Sequence, residues 1–237
     1  FGRNWHRFRM EGSQTEGSWK ARIESDEALG DIFWNLRGKG AIEANFKRLF
    51  IPEESRGSGP SSSARLGGDS LEADSIPAVD VRVMDFSWGD KRLGELRIRS
   101  HNTRGVWVLD NVLIQNPDST FKAQGEWSAP ANRSKMGFEL TVGDIGRFLE
   151  RMRSPNVIRR GTATLKGSLA WNGAFYGIDY PTLSGELEIK AQKGQFTKLE
   201  PGMGKLLGLV SLQSIPRRLS LDFRDIFSAG LAFDTIE

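Results

Sequence analysis

Over most of its length this chain places apolar residues at every second position in short stretches, the period of strands with one buried face. In IEANFKRLF, Ile42, Ala44 and Phe46 alternate with Glu43, Asn45 and Lys47, and Pro52 ends the run. VDVRVMDFSW alternates Val79, Val81 and Val83 with Asp80 and Arg82. The phase then slips, so that Phe86 and Trp88 carry the apolar side, as a β-bulge would arrange. Leu96 and Ile98 oppose Glu95, Arg97 and Arg99. Phe121, Ala123, Gly125 and Trp127 share one side of the next strand, and Met136, Phe138, Leu140 and Val142 one side of another. Leu187 and Ile189 alternate with Glu186 and Glu188. Short turns such as GDKR at 89–92, NTRG at 102–105 and PDS at 117–119 join these runs, which favours an antiparallel meander.

Two stretches have helical spacing instead. Asp144 is placed to cap a helix near 144–153, whose Ile145, Phe148, Leu149 and Met152 fall on one stripe. Near 202–214, Met203, Leu206, Leu207, Leu209, Val210 and Leu212 cover more than half of a helical wheel, so that segment must be surrounded. It either plugs the end of the sheet or faces lipid, with Arg217 and Arg218 near headgroup phosphates. Pro216 stops it, and Leu219, Leu221 and Phe223 resume a strand pattern.

Residues 52–76 are rich in Ser, Gly and charge and poor in large apolar side chains, the composition of a flexible loop. The expected organisation is an N-terminal β segment at 1–51, that loop, and a β-groove region at 77–237. Trp recurs beside Gly at presumed strand ends, in EGSW, FSWGD, GEW and LAWNG, which suggests one hairpin unit reused at uneven spacing.

Composition narrows the function. The 237 residues have a mean hydropathy of -0.41 and no apolar run long enough to span a bilayer as a helix. The chain begins without Met or a leader pattern and stops within an alternating run, so both ends look cut from something longer. With 33 basic against 30 acidic residues the charge is nearly balanced, and no nucleic-acid partner is expected. There is no cysteine, and His6 and His101 are the only histidines, so thiol chemistry is excluded and no metal site or other cofactor is expected. GGDSLE resembles the nucleophile motif of a lipase family, but no histidine base follows it in the spacing such enzymes need. GMGKLLG lacks the glycine and hydroxyl positions of a phosphate loop. The expectation is a protein that is not an enzyme.

The stretch from GQFTKLEPGMGKLLGLVSLQSIPRRLSLDF to GLAFDTIE resembles the C-terminal region of the YhdP group of AsmA-like proteins, relatives of TamB among the bridge-like lipid transport proteins. IPAVDVRVMDFSWGDKRLGELRIRS and FKAQGEW are similar to the same family more loosely. The resemblance implies a long, curved β-groove of taco-like section. In the periplasm of a Gram-negative bacterium it would be anchored to the inner membrane by an N-terminal helix absent here. Such a groove would pass phospholipid towards the outer membrane, with outer-membrane contact as a further expectation. The resemblance brings no catalytic residues with it.

Two functions follow as expectations. In the first, an apolar β-groove carries phospholipid acyl chains on Val79, Val81, Val83, Leu96, Ile98, Met136, Phe138, Leu140, Leu187 and Ile189. In the second, a closed β-sandwich docks an envelope protein and never touches lipid. Alternation alone fits both.

Overall fold

The computed structural model describes residues 5–52, 76–175 and 177–196, together with the strand at 232–236. Residues 53–75 of the loop expected at 52–76, with the GGDSLE motif, and the apolar segment with Leu206, Leu207, Leu209, Val210, Arg217 and Arg218 lie outside the described residues.

One twelve-stranded sheet contains nearly everything, in chain order from β1 to β12. The strands are β1 (Arg9–Thr15), β2 (Ser18–Glu24), β3 (Ala28–Asn35), β4 (Ala41–Ile51), β5 (Ala78–Trp88) and β6 (Lys91–Thr103). They continue with β7 (Val106–Asn116), β8 (Ser119–Ser128), β9 (Arg133–Val142), β10 (Ile158–Asn172), β11 (Ser184–Phe196) and β12 (Ala232–Ile236). The sheet does not close, since β1 pairs with β2 alone and β12 with β11 alone among the described residues. Eleven inter-strand steps make it about 53 Å long across the strands. It is a long curved sheet open at both edges, and no second sheet is packed on it among the described residues, which leaves the closed-sandwich alternative without support.

Every neighbouring pair is antiparallel except one. β4 and β5 run parallel, with Ala41 opposite Ala78 and Ile51 opposite Trp88. The antiparallel meander expected from the sequence is present, and its one parallel pair falls at the 52–76 segment, where no hairpin was expected. The chain from Ile51 to Ala78 must return the whole length of the strands, a distance of about 33 Å that no tight turn can cover. Ten residue pairs join β4 to β5, so the strands on either side of the 52–76 segment belong to one sheet.

The phase slip after Val83 is present as two register shifts on either side of Phe86. The irregularity keeps Phe86 with Val83 and Leu96 in one buried cluster, whereas Met84 and Trp88 are left 73% and 53% exposed. Trp88 therefore does not join the covered face. Gly94, at φ +90, sits across from Phe86, where an added Cβ would stand 2.3 Å from the carbonyl of Gln115. Glycine is the residue that allows the two strands to approach there.

α1 (Ile145–Arg151) interrupts the strands between β9 and β10. Asp144 caps it, accepting the Arg147 N–H at 3.1 Å. Its buried Ile145 packs with Val142, Leu140, Phe148 and Leu149. No helix among the described residues is long and apolar enough to cross a membrane.

Candidate functional site

Strand pairing puts directly opposed residues on the same side of a sheet, so register alone identifies a face. Following one line across the sheet from β4 gives Phe46, Val83, Leu96 and Ile114, then Phe121, Leu140, Leu165 and Ile189 on β8 to β11. The next line gives Ala44, Val81, Ile98 and Val112, then Ala123, Phe138, Gly167 and Leu187. A third begins Ile42, Val79, Ser100 and Leu109 and ends Gly125, Met136, Leu169 and Gly185. All three extend through β3 and β2, by way of Gly30 and Ile23, Ile32 and Ala21, and Trp34 and Trp19.

All ten residues singled out from the sequence as groove candidates fall on these lines and share one face. The lines also contain residues that sequence reasoning passed over, among them Ile32, Val112, Ile114, Leu165 and Leu169. Within VWVLDNVLIQ the signal for the β7 members is blurred by a register shift between Leu109 and Val112, which breaks the alternation.

Most of this face is half-buried rather than sealed. Val83 and Leu96 are covered, whereas Val79, Val81, Ile98, Met136, Phe138, Leu140 and Ile189 are partly open and Leu187 is 43% exposed. Neighbouring side chains on the wall provide that cover. Phe121 and Phe138 stack with ring centroids 6.2 Å apart. The Phe138 ring packs directly against Gly167, where an added Cβ would be 2.6 Å from it.

The opposite face is polar. Its central line includes Arg22, Asp31, Asn45, Arg82, Arg97, Lys122, Glu139, Lys166 and Glu188. Cross-strand ion pairs run along this side, including Arg22 with Asp31 at 2.8 Å, Lys166 with Glu139 at 3.4 Å and Lys135 with Glu126 at 3.8 Å. The Arg22 guanidinium holds the Asp31 carboxyl below its usual range, and the Lys190 ammonium does the same for Glu188. These charges need water, so this side of the sheet is the solvated one.

The two long edges of the apolar face differ. Along one, α1 covers the ends of β9 and β10, and Arg151 donates to the buried Asp118 carboxylate in the turn between β7 and β8. Along the other, Trp127 packs with Ala174, Trp107 and Phe175. Phe175 meets Trp107 and Trp171 edge-on, at 5.3 and 5.6 Å between centroids. It also lies against Gly125, where an added Cβ would be 2.8 Å from its ring. Ser134, fully buried, donates to the Gly173 carbonyl at 2.7 Å and fastens that connection to the sheet.

An open antiparallel sheet with one polar and one uncovered apolar face, closed only along its edges, is a groove-forming β protein. The whole chain, residues 1–237, matches the family described as YhdP protein, and the chain belongs to that family. It is 29% identical over 208 residues to the intermembrane phospholipid transporter YhdP of Escherichia coli strain K12. That alignment covers 85% of the chain but 16% of the relative, so the chain spans about a sixth of that protein's length. No solved structure matches it.

Proposed function

We propose that this sheet carries phospholipid acyl chains on its apolar face, as one length of a longer periplasmic conduit between the inner and outer membranes. The observation that carries the reading is the set of three lines, mostly apolar and continuous from β2 to β11, with no second layer over them among the described residues. Three residue lines across these ten strands amount to about 900 Å² of wall, beyond the roughly 300–600 Å² of the largest apolar patch on an ordinary soluble monomer. Hydrocarbon laid on such a wall gains roughly 25 cal/mol for each Å² removed from water. The E. coli relative is a phospholipid transporter between membranes, which is the same task on a longer chain.

The groove binds and does not catalyse. In this reading Val79, Val81, Val83, Leu96, Ile98, Met136, Phe138, Leu140, Leu187 and Ile189 touch lipid tails, while the charged face looks into the periplasm. Anchoring to the inner membrane and contact with the outer membrane belong to parts of the protein beyond the described sheet.

The test is site-specific photo-crosslinking in cells. A crosslinking residue at Ile98, Phe138 or Leu187 should capture phospholipid, and one at Arg97, Glu139 or Glu188 should not. Equal capture on the two faces, or none on the apolar one, would overturn the proposal.

A further inference from the structure

The two edges of the groove are chemically unlike. Five of the seven tryptophans, Trp19, Trp34, Trp107, Trp127 and Trp171, stand one residue in from a strand end, all on the apolar face and all along the edge opposite α1. Trp19 is paired with Trp34 and Trp107 with Trp127 across neighbouring strands. Indole has an apolar body and one N–H donor, which suits the boundary between hydrocarbon and water. Just inside this edge, Ser100 Oγ and Trp107 Nε1 are buried donors with no protein acceptor.

The described turns of the two edges also differ in their acids. The turns on the α1 edge all carry acids, Asp26 and Glu27, Asp90, Asp118 and Asp144, and these take up Arg7, Lys91, Arg153, Arg151 and Arg147 as ion pairs. On the tryptophan edge Arg37 and Arg104 in the turns, and Arg133 at the start of β9 on the polar face, form no ion pair among the described residues, as is also true of Arg92, Arg159 and Arg160 on the α1 edge; what differs is the number of acids beside them. Among the described residues the acids there are Glu16 and Asp179, and the Asp179 carboxylate already accepts the Thr182 hydroxyl at 2.8 Å.

We infer that the tryptophan edge is the headgroup side of the groove. The glycerol ester oxygens of a phospholipid rest against Trp19, Trp34 and Trp107 and the nearby Ser100, since the buried Trp171 already donates to the Ala174 carbonyl at 3.2 Å, and its phosphate lies by Arg37, Arg104 and Arg133. This rests on the proposed lipid-carrying function and adds to it an orientation: tails point towards α1, and the anionic part leaves over one edge only. Esters and phosphate oxygens are acceptors without donors, and the groups waiting on this edge are donors. Successive cations here are two or three strands apart, about 10–14 Å, so each serves a separate lipid.

The experiment uses the full 237-residue chain offered mixed vesicles of dioleoyl phosphatidylglycerol and dioleoylglycerol, which share tails and differ in the phosphate. Bound lipid is counted by native mass spectrometry. Arg104→Glu with Arg133→Glu should lower phosphatidylglycerol occupancy about fivefold, the scale of two exposed ion contacts, and leave dioleoylglycerol unchanged. The milder pair Arg104→Asn and Arg133→Gln should move it in the same direction, and Asn suits the positive φ of Arg104. Arg92→Glu with Arg159→Glu on the α1 edge should change neither lipid.

An equal loss from the two edges, or none from the tryptophan edge in a folded protein, would overturn the orientation while dioleoylglycerol binding upheld the groove. Displacement of phosphatidylglycerol by millimolar inorganic phosphate would make this a free-phosphate site and overturn it as well. A wild-type chain that holds neither lipid would overturn the groove and the orientation together.

Discussion

Leu187→Glu separates the proposed lipid-carrying role of the wall from its part in the fold better than any other single change. Leu187 lies on the apolar face of β11, opposite Gly167, and keeps 43% of its surface exposed. Full burial of a leucine is worth about 1.5–3 kcal/mol, so the part still open can contribute about 1 kcal/mol when a tail covers it. A carboxylate there would lose that gain and oppose the tail with a desolvation penalty of about 1–3 kcal/mol. The sum of about 2–4 kcal/mol predicts that phospholipid occupancy falls by roughly 30-fold or more. The fold loses only the covered part of the leucine, about 1–1.5 kcal/mol. Lipid copurifying with the chain, counted by native mass spectrometry beside a thermal unfolding curve, reads the two effects separately. Glu188→Gln, one position along on the polar face, is the control and should leave occupancy alone. A folded Leu187→Glu protein that still carries wild-type amounts of lipid would refute the assignment of this face.

Two further outcomes test how the edges are held. Asp118→Ala removes the buried partner of Arg151 and should cost about 3 kcal/mol in chemical denaturation, with the loss concentrated in hydrogen-exchange protection of α1. Glu27 in the turn between β2 and β3 accepts from His6 Nδ1 at 2.6 Å and from the His6 N–H at 3.1 Å, and the histidine contact is the main reason its pKa falls to about 2. Its depressed value gives a stabilising contribution that is complete above about pH 4.5 and disappears as the pH falls towards 2. Urea midpoints measured across that window should fall more steeply for the wild type than for Glu27→Gln.

How far the sequence could carry the reading is clear from particular residues. Val79, Val81 and Val83, and Met136, Phe138, Leu140 and Val142, announce their strands because nothing interrupts the alternation. The slip at Phe86 was legible as well, since two polar-face residues in a row can be accommodated by a bulge. Asp144 marked the start of α1. The parallel β4–β5 pair was not legible, because alternation gives a strand its faces but not its direction. Nor was the tryptophan edge: Trp19, Trp34, Trp107, Trp127 and Trp171 are irregularly spaced along the chain, and only the registers of successive hairpins bring them to one side. The pairs His6–Glu27 and Arg151–Asp118 escaped notice because residues 21 and 33 positions apart carry no local pattern.

The parallel junction bears on how a conduit of this kind could be made longer or shorter. A hairpin is two strands and returns the chain to the side it left, so adding or removing whole hairpins preserves which border carries the indoles. An odd number of strands would exchange the borders for everything downstream. The return passage from Ile51 to Ala78 is a parity correction of that kind: it lets the turn at 36–40 and the turn at 104–105 open on the same border, with β4, β5 and β6 between them. Growth by hairpins is thus unconstrained, and growth by a single strand needs a second such passage.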